Sequence, residues 1–151
     1  MATIRKFSGD VSVLRPIIRQ WELECNAEEL GINLDMTVYL RDLQRLVDGL
    51  NSDLLVLEDD EIIGYMGLET FNSPLGNQLI TNEHFWYVSP DKRGLSALKF
   101  LSVAEKWAKE KGCSYLIMNA SYLASDLHDR TCKIYEKFGM QKFESSYIKG
   151  I

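Results

Sequence analysis

The chain has 151 residues, a length at which one domain can bury a substantial core, and we expect a single domain spanning residues 1–151. Apolar residues make up 46% and charged residues 26%, as in ordinary globular proteins, and the net charge of -5 argues against general nucleic-acid binding. No apolar run approaches the ~20 residues that a membrane helix needs, and no signal-peptide core follows Met1, so the sequence predicts a cytoplasmic protein.

The three cysteines, Cys25, Cys113 and Cys132, are odd in number and show no CxxC spacing. This pattern predicts buried, free thiols in a reducing compartment. We expect neither Cys113 nor Cys132 to be a nucleophile, because no histidine adjoins them, unless the fold brings one close.

The first third of the chain predicts a strand and two helices. Thr3 to Phe7 is a short strand, and an apolar stripe from Leu14 to Cys25 has helical spacing, with Pro16 near the helix start where a missing N–H costs least. Asp35 is typical of an N-cap for a second amphipathic helix, which Gly49 ends.

A hairpin follows. The apolar runs Leu54–Leu57 and Ile62–Leu68 flank the acidic residues Glu58–Glu61. The acidic run has the composition of a metal site, but a solvated hairpin tip explains it better because no histidine or further ligand accompanies it. We therefore predict no metal site.

The most informative stretch combines a strand, a basic turn and a helix. Strand Leu79–Val88 must end before Pro90, and an amphipathic helix follows Gly94 and stops at Gly112. The first amides of a helix lack internal partners and lie at its positive end, so they suit an anion such as a pyrophosphate. A surface turn with two solvated basic residues is the simpler alternative. The residues expected to bind the anion are Lys92, Arg93, Gly94, Ser96 and Ala97.

The last elements complete a mixed sheet. Tyr115–Met118 is a short strand, Asn119–His128 a polar connection, Asp129–Phe138 a helix capped by Gly139, and Lys142–Ile148 a final strand. The order β-α-α-β-β-β-α-β-α-β predicts an α/β fold with one parallel crossover and helices on both faces of the sheet.

Two segments give the chain a resemblance to the GCN5-related N-acetyltransferase (GNAT) family. They are Tyr87–Gly94 with the helix that follows, and Ile134–Met140, which is similar to the family's tyrosine helix with Met140 in place of its usual phenylalanine. The resemblance covers nearly the whole chain. It implies a mixed, mostly antiparallel twisted sheet of six to seven strands with about four helices. It also implies transfer of an acetyl group from acetyl-CoA to a primary amine by direct attack in a ternary complex.

The resemblance also implies the cofactor-binding residues. The backbone of Trp86, Tyr87 and Val88 would hold the pantetheine and polarise the thioester carbonyl, and Asn119 would bond to the pantetheine. The pyrophosphate loop can be aligned in two registers, because only Gly94 is a glycine in the chain's version of the family's Gln/Arg-x-x-Gly-x-Gly/Ala motif. These registers are Lys92-x-x-Leu95-x-Ala97 and Arg93-x-x-Ser96-x-Leu98.

The chemistry of the family needs an acid and a base. Tyr135 resembles the general acid that protonates the departing CoA thiolate. Glu83, His84 or a water relay would deprotonate the amine, and we expect His84 to share a strand face with Trp86 and Val88.

The main alternative is a non-catalytic protein of the same fold that binds acyl-CoA or a protein partner, as the missing loop glycines would favour. A nucleotide-binding domain is the weaker alternative, because the chain lacks a G-x-G-x-x-G turn. We expect no nucleic-acid or membrane partner, and a homodimer is compatible with the sequence.

Overall fold

A computed structural model describes residues 1–151 and shows one mixed five-stranded sheet, in the order β1-β2-β3-β4-β5, with four α-helices. Strands β1 to β4 pair antiparallel, whereas β4 and β5 are parallel, which confirms the predicted crossover. None of the helices has the length and apolar character to cross a membrane. The strands are β1 Thr3–Lys6, β2 Ser52–Asp59, β3 Glu61–Asn72, β4 Leu79–Val88 and β5 Tyr115–Ile117. The helices are α1 Arg15–Glu24, α2 Met36–Asp48, α3 Leu95–Glu110 and α4 His128–Lys137.

The helix boundaries follow the predicted capping residues. Pro16 lies in the first turn of α1, and Asp35 Oδ1 accepts the amides of Thr37 at 2.9 Å and Val38 at 3.3 Å at the start of α2. Gly112 and Gly139 adopt positive φ angles of 79° and 92° just beyond α3 and α4, where the left-handed conformation ends a helix.

Apolar side chains pack on both faces of the sheet. One cluster joins α1 and α2 to one face and includes Leu43 and Tyr65. The other joins α3 to the opposite face and includes Met66 and Phe100. The two clusters use alternate residues of β3, as the period of a strand requires, and confirm the prediction of helices on both faces.

The predicted final strand is wrong. Residues 142–148 form no strand, and the side chains of Phe143 and Tyr147 are 72% and 95% exposed. The segment has the composition of a strand, but no neighbouring strand pairs its backbone or covers its apolar side chains. The sheet therefore has five strands rather than the six to seven predicted.

A β-bulge interrupts β4 close to its middle. Phe85 lies opposite Gly67 and Glu83 lies opposite Leu68, so that His84 is an extra residue on β4. A bulge of this kind changes which side chains share a face and commonly lies beside a functional site.

Candidate active site

Strands β4 and β5 separate part-way along their length. β5 pairs only with Ile80, Thr81 and Asn82, whereas β4 stays paired with β3 as far as Val88. The outer edge of β4 from Glu83 onwards therefore has no strand beside it. An opening of this kind exposes backbone donors and acceptors to a ligand.

The pairing register decides which backbone groups face the opening. The amide of Ser89 donates to the carbonyl of Ile63 at 2.9 Å, so Ser89 and, by alternation, Tyr87 bond on the β3 side. Trp86 and Val88 direct their N–H and C=O groups to the open edge. Of the three predicted residues, Tyr87 thus has its backbone committed to β3, and only Trp86 and Val88 offer theirs to a ligand.

The start of α3 also presents unpartnered donors. The amides of Leu95, Ser96 and Ala97 have no acceptor within the chain, and no side chain caps the helix at Gly94. A Cβ atom at Gly94 would meet nothing within 4 Å, so the space beside this residue is open. Three free amides at the positive end of a 16-residue helix form a site suited to an anion.

A groove of about 410 Å³ connects these features. Its walls are the open end of β4, the start of α3, and α4 with the loop that precedes it. Four of the lining side chains are basic and one is acidic, which favours an anionic ligand. The basic residues are Arg93, Arg130, Lys133 and Lys137, and the acidic residue is Glu24.

The predicted cofactor-binding residues divide between the groove lining and its surroundings. Lys92, Leu95, Ser96 and Asn119 do not line the groove, although two of them offer their amides at the start of α3. The predicted residues that line it are Trp86, Tyr87, Val88, Arg93, Gly94, Ala97 and Leu98.

Arg93 is the member of the basic pair that lies at the groove. Its Nε donates to the carbonyl of Val88 at 2.9 Å, and its Nη2 lies 2.6 Å from Glu24 Oε2. The guanidinium also lies 5.5 Å from the centre of the Tyr87 ring. Arg93 therefore joins α1 to the end of β4, and it occupies one of the two outward carbonyls of the open edge.

Glu83 is the buried acid of the site. It is only 4% exposed, and one carboxylate oxygen accepts the backbone amide of Asn119 at 3.4 Å and its side-chain amide at 3.3 Å. Burial, only partly offset by these hydrogen bonds, raises the pKa of Glu83 to about 7. A carboxylate in this state can take up or release a proton near neutral pH.

Tyr135 lies beside Glu83 and is held by the same asparagine. Its hydroxyl donates to the backbone carbonyl of Asn119 at 2.8 Å, and its ring stacks on Trp86 with centroids 6.1 Å apart. Burial, assisted by the nearby Glu83 charge, raises the pKa of Tyr135 well above its ordinary value, so its phenol stays protonated. Asn119 thus aligns a buried carboxyl and a buried phenol at the point where β5 leaves β4.

His84 lies elsewhere, which corrects the expectation that it shares a face with Trp86 and Val88. The bulge breaks the alternation, and His84 Nε2 lies 2.9 Å from Glu69 Oε1, a carboxylate that also binds Arg45 of α2. Trp86 and Val88 belong to the cluster on the α3 face. Glu83, and not His84, is therefore the candidate base that joins the Asn119 network.

Sequence reasoning missed the basic face of α4. Arg130, Lys133 and Lys137 follow one another at intervals of three and four residues, so a helical projection places them on one side. That spacing was the signal that could have identified a second basic wall opposite the start of α3.

The cysteines are free, as predicted, but they are half-buried rather than fully buried. The fold brings a histidine close to Cys132, which is the exception that the prediction left open. His128 precedes it by one helical turn on α4, and its Nε2 lies 3.9 Å from the cysteine Sγ. The i, i+4 spacing in the sequence could have shown this pair.

Comparison with known proteins assigns the family. The model of the acetyltransferase (GNAT) family matches residues 16–140. The chain belongs to the GNAT acetyltransferase family. A search of the curated proteins found no match.

Solved structures of low sequence identity share the GNAT fold. A ribosomal-protein-alanine N-acetyltransferase from Brucella melitensis biovar Abortus 2308 is 19% identical, with a TM-score of 0.74 over 99% of both chains. A transcriptional regulator from Bacillus halodurans C-125 is 15% identical, with a TM-score of 0.80 over 100% of both chains. An aminoglycoside acetyltransferase from an uncultured soil metagenomic sample is 13% identical, with a TM-score of 0.74 over 100% of this chain and 99% of that one. At such identities these structures show a common fold, which confirms the predicted fold class.

Proposed function

We propose that this GNAT protein transfers an acetyl group from acetyl-CoA to a primary amine by direct attack in a ternary complex. The observation that carries the proposal is the groove itself. It adjoins the unpartnered amides at the start of α3 and has the open strand edge along one wall. The buried carboxyl–phenol pair of Glu83 and Tyr135 does not line the groove but lies behind that wall, where Tyr135 stacks on the lining residue Trp86.

The residues of the groove fit coenzyme A. A diphosphate matches the free amides of Leu95, Ser96 and Ala97 and the basic side chains along α4. The outward amides of Trp86 and Val88 suit an extended, amide-containing chain such as pantetheine, in the manner of strand addition. When bound, acetyl-CoA supplies the activated acyl group. The protein's contribution is to orient it and to donate hydrogen bonds to the carbonyl oxygen as charge develops there.

The reaction needs two proton transfers, and we assign one to Glu83 and the other to Tyr135. An amine attacks only as the neutral species, so a base must remove a proton from the ammonium form, and the pKa of about 7 fits Glu83 to that task. The departing thiolate needs a proton, and Tyr135 is the proposed donor because its phenol carries one at neutral pH and is held at the same asparagine as Glu83. Asn119 holds both groups and is a positioning residue.

The test is acetyl transfer to a panel of amines. Purified protein is incubated with acetyl-CoA and with small polyamines, amino sugars and peptides that carry a free α-amino group, while CoA release and acetylated product are both measured. Turnover with at least one primary amine, lost in Glu83→Gln, supports the proposal. Saturable acetyl-CoA binding without turnover on any amine would contradict it.

A non-catalytic acyl-CoA-binding protein is the second candidate. It is favoured by the engagement of Arg93 with Glu24 and Val88, which leaves this arginine fewer free donors for a diphosphate, and by the single glycine of the loop. Calorimetric titration with acetyl-CoA separates the candidates when combined with the turnover assay. Binding without turnover supports the second candidate, and the absence of binding contradicts both.

A further inference from the structure

A second group of reactive side chains lies on α4 outside the groove. Cys132 Sγ lies 3.9 Å from His128 Nε2, and His128 Nδ1 lies 2.8 Å from Asp129 Oδ1. The hydroxyl of Tyr122 donates to the same carboxylate oxygen at 3.1 Å, and its ring stacks on the imidazole with centroids 4.0 Å apart. A nucleophile, a base and a group that orients the base are therefore assembled within one helical turn.

The hydrogen bonds define the role of the imidazole. Since the Asp129 carboxylate can only accept, His128 Nδ1 carries the hydrogen, and in the neutral form of the ring Nε2 is the free acceptor that lies towards the thiol. The ring stack with Tyr122 fixes the plane of the imidazole. His128 is thus positioned to take the thiol proton as the sulfur attacks an electrophile.

The other two cysteines lack this arrangement. Cys25 Sγ donates to the carbonyl of Glu22 at 3.4 Å, and Cys113 Sγ accepts the hydroxyl of Thr81 at 3.1 Å. Neither thiol has an imidazole beside it, so the chain contains its own internal controls.

We propose that Cys132 is a nucleophilic thiol, activated by His128, which undergoes thiol–disulfide exchange with small disulfides. In this step a bond forms between Cys132 Sγ and one sulfur of the disulfide, while the disulfide bond breaks. The second sulfur leaves as a thiolate, and His128 transfers to it the proton removed from Cys132. Cys132 is oxidised to the mixed disulfide and the departing sulfur is reduced to a thiol.

The position of the thiol favours a small disulfide over the thioester proposed for the groove. The groove is lined by one face of α4, which includes Arg130, Ile134 and Lys137. Cys132 is about 160° around the helix from Ile134, so it lies on the far side from the groove. It is half-buried, and the imidazole beside it stacks on the exposed ring of Tyr122 in the preceding loop.

Modification there would reach the proposed catalytic pair through the loop. The segment that carries Tyr122 begins at Asn119, which holds Tyr135 and Glu83. If the proposed function holds, a mixed disulfide on Cys132 that displaces Tyr122 would slow acetyl transfer, and a reductant would restore it.

The test measures the reactivity of each thiol separately and does not depend on acetyl transfer. The reduced full-length protein is treated with iodoacetamide at pH 6.5, and the alkylation rate of each cysteine is followed by peptide mass spectrometry. We expect Cys132 to react about 10-fold faster than Cys25 and Cys113, and His128→Gln to remove that advantage. Equal rates for the three thiols, or an unchanged Cys132 rate in His128→Gln, would overturn the proposal.

The same measurement at high pH distinguishes activation of Cys132 by His128 from a change in the exposure of the thiol. At pH 9.5 thiols in general ionise without help, so the wild type and His128→Gln should alkylate Cys132 at rates within about 2-fold of each other. A deficit of about 10-fold that persists at this pH would show altered exposure instead and contradict activation by His128. Circular dichroism verifies folding, and Asp129→Asn, at an exposed side chain, gives the same test through loss of the orienting carboxylate if His128→Gln unfolds.

The final arm uses the proposed class of reagent. Incubation with glutathione disulfide should add one glutathione to the wild type at Cys132, reversibly with dithiothreitol, and none to Cys132→Ser under the same conditions. Uptake by Cys132→Ser at the wild-type rate, or modification confined to the other two cysteines, would contradict the assignment.

Discussion

The two halves of β4 differ in their neighbours, although a single strand carries both. Leu79–Asn82 lies between β3 and β5, whereas Glu83–Val88 has β3 on one side and the groove on the other. The paired half buries Thr81, whose hydroxyl donates to Cys113. The open half presents backbone amides and leads from the buried carboxyl of Glu83. Pairing on both edges stabilises the sheet, and the loss of one partner makes the same strand available to a ligand.

Replacement of Glu83, at the start of the open half of β4, should have the largest effect on activity. Glu83→Gln keeps the size and the hydrogen bonds to Asn119 but removes the base, so we expect kcat to fall by about 10²- to 10⁴-fold. The wild-type rate should rise with pH through about 7 and then level off, because the pKa of the buried carboxyl is raised to about 7, and the variant should lack this rise. A wild-type profile retained in the variant would assign the base elsewhere.

The pH dependence of the unfolding free energy distinguishes a catalytic role of Glu83 from a role in folding. Because the pKa of Glu83 is raised from its ordinary 4.5 to about 7 in the folded state, its ionisation destabilises the fold as the pH rises across that interval. The wild type should therefore lose stability relative to Glu83→Gln between about pH 4.5 and 7, and the variant should melt no lower than the wild type at pH 8. A variant that is inactive because it is unfolded at pH 8 would contradict the proposed role.

Tyr135→Phe should have the next largest effect. The phenylalanine ring keeps the stack on Trp86 but cannot donate a proton, so kcat should fall by about 10²-fold with little change in the dissociation constant of CoA. Steady-state kinetics and calorimetry measure the two quantities independently. Unchanged turnover would remove Tyr135 from the mechanism.

The two neighbouring basic residues give a matched pair of variants in the cofactor site. Arg93→Ala should weaken CoA binding about 10-fold, since it removes a charge-assisted donor and leaves the Glu24 carboxylate unpaired at the groove. Lys92→Ala, at an exposed residue outside the groove lining, should change the affinity by less than about 2-fold. Equal effects in a binding titration, or a loss of folding in Arg93→Ala as large as the loss of binding, would favour a structural role for the arginine.

The smallest effect is expected in the paired half of β4. Thr81→Val removes a buried hydroxyl and its hydrogen bond to Cys113, so it should cost about 1 kcal/mol of unfolding free energy and leave kcat unchanged. Urea denaturation and the amine assay check the two parts. A fall in kcat comparable to that of Glu83→Gln would erase the distinction between the halves.

Local signals in the sequence identified most of the fold. The N-cap at Asp35, the terminal glycines Gly112 and Gly139, and the apolar periodicities depend on residues close together in the chain, and the structure confirms them. The prediction of a final strand was wrong because a strand needs a neighbouring strand to pair with, and amino-acid composition does not show whether one is present. The strand-like residues 142–148 have none.

The candidate site was harder to predict from the sequence, because more of it depends on contacts between residues that are distant along the chain. The free amides at the start of α3 follow from the strand–turn–helix order, and they were predicted. The bulge that turns His84 towards Glu69 depends on the register between β3 and β4, and the ion pair of Arg93 with Glu24 joins residues 69 positions apart. Neither contact has a local signature in the sequence.

Amide chemical shifts during a titration with acetyl-CoA test the central claim most directly. A ¹H–¹⁵N correlation spectrum of the labelled protein reports on each backbone amide separately, including those of the two halves of β4 and of the start of α3. We predict large shifts for Trp86, Val88 and the three amides Leu95, Ser96 and Ala97, with little change at Ile80 and Thr81 in the paired half. Saturable binding that leaves the amides of the open edge and of the α3 start unmoved would contradict the account.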